Sequence, residues 1–284
     1  MAQQPVPEVI VVDNASSDGS AEAVRREYGG VRVVESKTNL GYGGGINRGI
    51  CASHGELLLL LNSDTEMLPG ALASLMCLMQ RDGSVGVAAP RLVFPTGEVQ
   101  SSRRRFPSMP VLLAESTAWQ NLPAVRGALR SYYCHDRPHS HCQAIDWAVG
   151  ACLLVRRQAL EEAGAMDESY FMYSEEVDLQ RRLRQLGWQV VYEPSATVVH
   201  HESMSADQSL PGKVAEFNRA KVTYAAKHLG AMQARILRYD LLASLGLELA
   251  KESAKLAVGH KPDLRRSRIA LYRQVLRGGL RPRE

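Results

Sequence analysis

Residues 57–67 read LLLLLNSDTEM: five leucines run straight into Asn62, Ser63 and Asp64, with Thr65 and Glu66 behind them. A stretch this apolar belongs in a core, and its length suits a strand better than a helix. Reading Glu56–Leu61 as a strand covered on both faces places it in a sheet of parallel type. The run then ends on an acid. In open α/β sheets the space beyond the carboxyl ends of the strands is where ligands dock, so Asp64 marks an end worth tracing outward.

Upstream, Glu8–Val12 is a short β-branched run that closes on Asp13 and the turn-like DNASSDGS. A helical stretch over Ser20–Tyr28, a strand over Val31–Val34, and a glycine-rich loop, TNLGYGGGINRG, opening a helix that ends near His54 complete the N-terminal part. Downstream, a helix after Pro69 and a strand over Val85–Ala89 continue the alternation, and VFPTGEVQ reads as a hairpin turning on Pro95–Gly97. Residues 103–145 carry no clear pattern. From Asp146 the chain regains order, with a strand WAVGACLLV, a helix from Arg156, a helix EEVDLQRRLRQLG and a strand WQVVYEPSATVVHH. In the second of these helices Leu179, Leu183 and Leu186 form an apolar stripe that Gly187 ends. Strands alternating with helices predict an open α/β sheet over residues 1–210. Beyond Pro211 the pattern is two or three amphipathic helices.

Composition excludes several classes. At 284 residues with 23% charged and 45% apolar side chains the chain is globular. No window approaches the roughly 18 continuous apolar residues of a membrane span. The N-terminus MAQQPVPEVIVV lacks the basic and apolar regions of a signal peptide. Five scattered cysteines fit free thiols in a reducing compartment, so the cytoplasm is expected. Charge is unevenly spread: residues 211–284 carry 16 Lys and Arg against 6 Asp and Glu, a net of +10, whereas residues 1–210 carry −6. The tail is either suited to an anionic surface or an ordinary solvated helical hairpin. A nucleic-acid partner is disfavoured, since the tail holds no recognised motif.

The glycine loop fits neither a dinucleotide fingerprint nor a Walker A loop: counted from Gly41 the sixth position is Ile46, and Ile50 stands where a P-loop lysine belongs. The segment CHDRPHSHC (134–142) has no familiar zinc spacing. What remains is a set of carboxylates and histidines at element ends. Asp13 and Asp64 both close apolar strands, where each could cap a turn or face a ligand. A strand-end carboxylate that holds a diphosphate needs a divalent cation, Mg²⁺ or Mn²⁺, and His200 or His201, ending another strand, could complete such a site. Glu175 and Glu176 fall in the first turn of a helix with Ser174 as its expected N-cap. There the helix dipole and open N–H groups favour an ionised carboxylate fit to serve as a general base. Asp178 can pair with Arg182 one turn on.

Taken together and in this order, VIVVDNASSDGS, NLGYGGGINRG, LLLLNSDT, PRLVFPTGEVQSSRRRFP, DWAVGACLLVRRQALEEAGAMDESYFMYSEEVDL and GWQVVYEPSATVVHH resemble the inverting family-2 glycosyltransferases of the GT-A fold, in the rhamnosyltransferase-like branch. The resemblance implies an α/β GT-A domain with an open, mixed, mostly parallel sheet flanked by helices, followed by a basic helical extension over 211–284. It implies that Asp13, Asn39, Gly41, Asn47 and Asn62 bind a nucleotide-diphospho-sugar donor, dTDP- or UDP-linked. Asp64, closing a D-x-D-like motif, and His200 would hold Mn²⁺ or Mg²⁺. Glu176 would be the general base beside Glu175 and Asp178, at a position where Asp is more usual. Trp147 and Gly150 would shape the acceptor side.

The expected reaction passes a sugar, rhamnose by the branch resembled, to a hydroxyl of a glycan or lipid-linked acceptor in envelope polysaccharide synthesis. That work would be done at the inner membrane face, which the basic tail would help the enzyme reach. The family also carries an earlier strand and helix before the strand ending in Asp13, so the expectation is that the true start lies upstream. A non-catalytic sugar-nucleotide-binding or scaffold protein is the competing reading.

Overall fold

A computed structural model describes residues 7–115, 117–201 and 210–282. In chain order the elements are β1 (Ile10–Asp13), α1 (Ser20–Glu27), β2 (Arg32–Glu35), α2 (Gly41–Ala52), β3 (Leu57–Leu61), β4 (Thr65–Met67) and α3 (Ala71–Arg81). Next come β5 (Val85–Val93), β6 (Arg103–Arg104), α4 (Met109–Ala114), a short 3₁₀ turn (Ala118–Asn121), α5 (Pro123–Tyr132), β7 (Gln143–Ile145), β8 (Trp147–Ala148) and β9 (Cys152–Arg156). The chain continues through α6 (Arg157–Ala163), α7 (Glu175–Gln185), β10 (Gln189–His200), α8 (Leu210–His228), α9 (Ala231–Ala257) and α10 (Pro262–Gly278). It divides into two compact units. One comprises Met1–Phe106, Tyr133–Phe171 and Glu175–Ser205; the other Pro107–Tyr132, Met172–Ser174 and Ala206–Glu284.

The first unit is built on a mixed six-stranded sheet in the order β3-β9-β5-β10-β4, with β7 also on β10. β10 runs parallel to β5, while β9 lies antiparallel between β3 and β5. The leucine strand β3 therefore differs from its parallel reading: Leu57 to Leu61 pair with Arg156 to Cys152 of antiparallel β9. Its coverage on both faces holds. Leu58 and Leu60 enter a cluster with Leu153, Leu179 and Leu183, while Leu57 and Leu59 pack on the opposite one around Leu75 and Met79. Each fully buried leucine contributes about 1.5–3 kcal/mol, which makes the strand a stiff support for the acidic turn that follows it. β1 and β2 form a separate parallel pair, and β6 and β8 an antiparallel one.

Three local expectations change. The stretch WAVGACLLV is not one strand but two, β8 and β9, broken at Val149–Ala151. Leu186 is exposed rather than part of the α7 stripe, because α7 ends at Gln185 and Gly187 turns the chain at φ +93°. Residues 103–145, patternless in sequence, hold β6, α4, α5 and β7.

The second unit is helical and gathers α4 and α5 with α8, α9 and α10. Its core includes Tyr224, Leu237, Leu241, Leu245, Ile269 and Val275. Glu252, buried, is held there by Arg265 at 2.6 Å. No helix among the described residues is long and apolar enough to cross a membrane.

Candidate active site

Two loops meet first. Asp13, buried at the end of β1, accepts from the Ser16 amide at 3.3 Å. Its neighbour Asn14 then ties this end to the glycine loop: the Asn14 amide nitrogen donates to Asn39 Oδ1 at 3.2 Å and to the Gly41 carbonyl at 2.9 Å. In return Asn14 Oδ1 accepts from the Leu40 amide at 2.9 Å. Asn39 also accepts from the Gly41 amide at 2.9 Å. Gly41 stands at φ +76°, where a Cβ would overlap the Phe171 carbonyl, so only glycine fits. Asn47 lies further along α2 with both ends of its amide bound: Met166 N donates to Oδ1 at 2.9 Å, and Nδ2 donates to the Met166 carbonyl at 2.9 Å and Glu168 at 2.8 Å. Its visible work is to fasten the turn leading into α7.

At the mouth of β3, Asn62 N donates to the Ala151 carbonyl at 2.9 Å, while its buried Oδ1 has no hydrogen-bonding partner among the described residues. Asp64 Oδ1 lies 3.4 Å from His200 Nε2. β4 folds back antiparallel on β10, pairing Thr65 with His200, and this register brings the two side chains together from positions far apart in sequence. His200 is buried and its Nδ1 donates to Gln100 Oε1 at 2.9 Å, which orients the ring so that the other nitrogen faces Asp64. His201 points elsewhere: its Nε2 lies 3.9 Å from exposed Glu66. Of the two histidines considered from sequence, His200 is the one that lies beside Asp64. No group of three or more Cys, His, Asp or Glu able to hold a metal occurs among the described residues. The pair nevertheless fits a divalent cation that takes its other ligands from a diphosphate or water. The orphaned Asn62 oxygen beside this acidic turn is consistent with that fit.

The third component is the start of α7. Burial pushes the Glu175 carboxyl well above the usual carboxylate range, and the charge of Glu176 pushes it further. Burial also raises Glu176, but the N–H groups of Glu176, Gly150 and Val177 and the charge of Arg104 work against it. Both carboxyls are thus raised, and within the pair these N–H dipoles and Arg104 favour placing the charge on Glu176. Both leave a buried Oε2 without a hydrogen-bonding partner among the described residues. Ser174 departs from its expected N-cap conformation: it and Tyr173 stand at φ +66° and +71°, a left-handed geometry that side chains other than glycine seldom adopt. Asp178 is fully buried and accepts from Arg182 Nε at 2.8 Å, while Arg182 also donates to the carbonyls of Gly164 and Ala165. It secures the α6–α7 turn, as its spacing to Arg182 anticipated.

The acceptor-side segment is fixed from two directions. Trp147 is buried with its indole N–H on the Arg105 carbonyl at 2.9 Å. Gln180, fully buried, grips the Ala148 amide and carbonyl, both at 2.8 Å, and donates to the Glu176 carbonyl at 2.9 Å. Gly150 lies against the acid itself, since a Cβ there would sit 3.3 Å from Glu176 Cβ and 3.4 Å from its Cγ. Tyr42 donates to the Gly150 carbonyl at 2.9 Å. Burial first, and then the neighbouring Glu176, push its phenol far above its ordinary value.

A family model described as glycosyl transferase family 2 matches residues 1–164. The chain belongs to that family. This glycosyltransferase is 33% identical over 258 residues to N-acetylglucosaminyl-diphospho-decaprenol L-rhamnosyltransferase of Mycobacterium tuberculosis, covering 86% of this chain and 82% of the relative. Among solved structures, the fold is shared with GalNAc-T7 in complex with UDP, GalNAc and Mn²⁺. There the TM-score is 0.55 and the identity 16%, over 78% of this chain and 44% of that one. It is also shared with a Pyrobaculum calidifontis mannosyltransferase in complex with GDP-Man and Mn²⁺, at a TM-score of 0.53 and 17% identity, over 97% of this chain and 78% of that one. The fold is therefore the GT-A type, with a mixed sheet flanked by helices. Sequence reasoning did not single out four residues that hold the candidate site residues or their segments: Asn14, Tyr42, Gln100 and Gln180. Only Asn14, in a turn directly after Asp13, carried a local signal.

Proposed function

We propose that this glycosyltransferase transfers a hexose, rhamnose by its likeness to the mycobacterial rhamnosyltransferase, from a dTDP- or UDP-linked donor with inversion at the anomeric carbon. The acceptor is a hydroxyl of a lipid-linked glycan, in cell-envelope polysaccharide synthesis, and the basic helical tail faces an anionic membrane surface. The observation that carries the catalytic reading is Glu176: a half-buried carboxylate in the first turn of α7, packed against Gly150, with a buried Oε2 that has no hydrogen-bonding partner among the described residues.

In this reading Glu176 takes the proton from the acceptor hydroxyl as its oxygen bonds to the anomeric carbon. The bond from that carbon to the diphosphate oxygen breaks with its electron pair, and no covalent enzyme intermediate forms. Glu175 stays protonated and adds no second charge beside the base. Asp13, Asn14 and Asn39 shape the donor loop, and Trp147 and Gly150 border the acceptor. Asp64 and His200 would hold Mn²⁺ or Mg²⁺, which supplies charge neutralisation of the departing diphosphate.

The test is transfer and donor hydrolysis across a panel of dTDP- and UDP-sugars with Mn²⁺ or Mg²⁺, using a short-chain GlcNAc-diphospholipid acceptor. Glu176→Gln and Asp64→Ala should each lose at least a hundredfold in kcat. Activity surviving both substitutions would refute the assignment, and donor binding without turnover under any condition would favour a non-catalytic role.

A further inference from the structure

A helix packed on the outside of a soluble unit normally turns a polar face to water. α9 does not. Its inward face is Ala234, Leu237, Leu241 and Leu245, all buried. Its outward face carries Met232, Ile236, Tyr239 and Leu247, which are 63%, 51%, 59% and 64% exposed. At 100° per residue these four positions fall within an arc of about 80°, forming a stripe about 22 Å long. Exposed Ala243 and Ala250 fill the same stripe.

Cations flank the stripe. Arg235 and Lys251 are exposed on its two sides, Lys251 pairing with Glu248 at 2.6 Å, while Asp240 is partly buried and Glu252 is buried. At the border Trp119 is itself exposed, with its indole N–H on Asp240 at 3.0 Å. Apolar residues between cations, with Trp and Tyr at the rim, are the features of a helix lying in the plane of a lipid surface. A second copy of the chain is a poorer occupant, since an isologous contact would set the same cations and two tails of +10 against one another.

We infer that α9 is an in-plane membrane contact: Met232, Ile236, Tyr239 and Leu247 enter the headgroup–acyl boundary of an anionic bilayer, and Arg235 and Lys251 at its flanks meet its phosphates. This deepens the membrane part of the proposed function, replacing general attraction by a basic tail with a defined apolar stripe. It is independent of the transfer chemistry.

The test is flotation of the full-length protein with vesicles of phosphatidylcholine alone or with about 30% phosphatidylglycerol, at low salt and at about 0.5 M salt. The triple variant Met232→Ser/Ile236→Ser/Leu247→Ser alters exposed positions only and should keep the melting temperature and transfer to a short soluble acceptor. Wild type should float with anionic vesicles and keep a share of binding at high salt, and the triple variant should bind about tenfold less or weaker. The Trp119 fluorescence should shift to the blue with vesicles, a shift that Trp119→Phe removes. Equal flotation of both proteins, or complete release of wild type by salt, would overturn the stripe while leaving the basic-tail reading standing. No flotation of wild type would overturn both. A wild-type dimer that the triple variant splits, with neither floating, would make the stripe a self-association surface instead.

Discussion

The Tyr42 hydroxyl donates to the Gly150 carbonyl at 2.9 Å across 108 residues of sequence, and the same glycine lies against Glu176, where a Cβ would sit 3.3 Å from Glu176 Cβ. Residue 150 is thus held on one side by the Tyr42 phenol and on the other borders the acid to which the proposed mechanism assigns the proton. Tyr42 acts through Gly150 and is a positioning residue. Removing its hydroxyl leaves the Gly150 carbonyl short of a partner, at a cost of about 1–2 kcal/mol. Tyr42→Phe should therefore lower kcat by about five- to thirtyfold, leave the donor KM nearly unchanged and move the acidic limb of the pH–rate profile. An unchanged acidic limb would mean that Tyr42 contributes packing alone.

Gly150→Ala probes the same junction from the other side. The new methyl would press on Glu176 Cβ and Cγ at 3.3 and 3.4 Å, closer than ordinary contact, while the Tyr42 oxygen at 3.7 Å is already in normal range. The carboxylate has to give way. A displacement of a few tenths of an ångström at a general base is expected to reduce kcat about tenfold or more, with nucleotide affinity, measured calorimetrically, preserved.

The acidic pair predicts a pH dependence of stability with a definite sign. The folded-state pKa of Glu175 lies above its ordinary 4.5, so folding favours the protonated form. The stabilising influence is fully present below the unfolded value and is lost as pH rises through the folded one. Wild type should lose stability over that window, whereas Glu175→Gln, which stays neutral, should show a flatter profile and a melting temperature a few degrees higher near neutrality. If the variant melts lower than wild type at neutral pH and equally at acid pH, the Glu175 carboxylate is stabilised by partners and the sign is reversed.

The leucine run shows how far the sequence could be read. Its burial on both faces follows from composition alone, since five consecutive leucines have nowhere else to go. Its partner does not: that β9 would run antiparallel beside it depends on the break at Val149–Ala151, which no local pattern announces. The end-of-strand acids were legible because the abrupt change from apolar to charged marks where scaffold gives way to site. Gln100 and Gln180 were not. A glutamine with one apolar and one polar neighbour, as both are, looks like any surface glutamine until the fold buries it against His200 or Ala148. Asp178 was read correctly by spacing, whereas the dihedrals of Tyr173 and Ser174 depend on tertiary constraint and lie beyond any propensity.

Gln100 offers the sharpest test of the metal assignment. It is buried, its Oε1 accepts from His200 Nδ1 at 2.9 Å, and this contact turns Nε2 of the ring towards Asp64. Outer residues of this kind fix both the tautomer and the ring orientation of a ligating histidine, and their loss weakens metal binding by about ten- to a hundredfold. Gln100→Leu keeps the volume and removes the acceptor. Titration of Mn²⁺ in the presence of UDP, followed by electron paramagnetic resonance of the free ion, should show affinity reduced to that degree in Gln100→Leu and further in His200→Ala, with His201→Ala unaffected. The reverse order, with His201→Ala the more damaging, would move the ligand to the neighbouring histidine. Unchanged affinity in all three would remove the histidines from the metal site and leave Asp64 to hold the cation with the nucleotide alone.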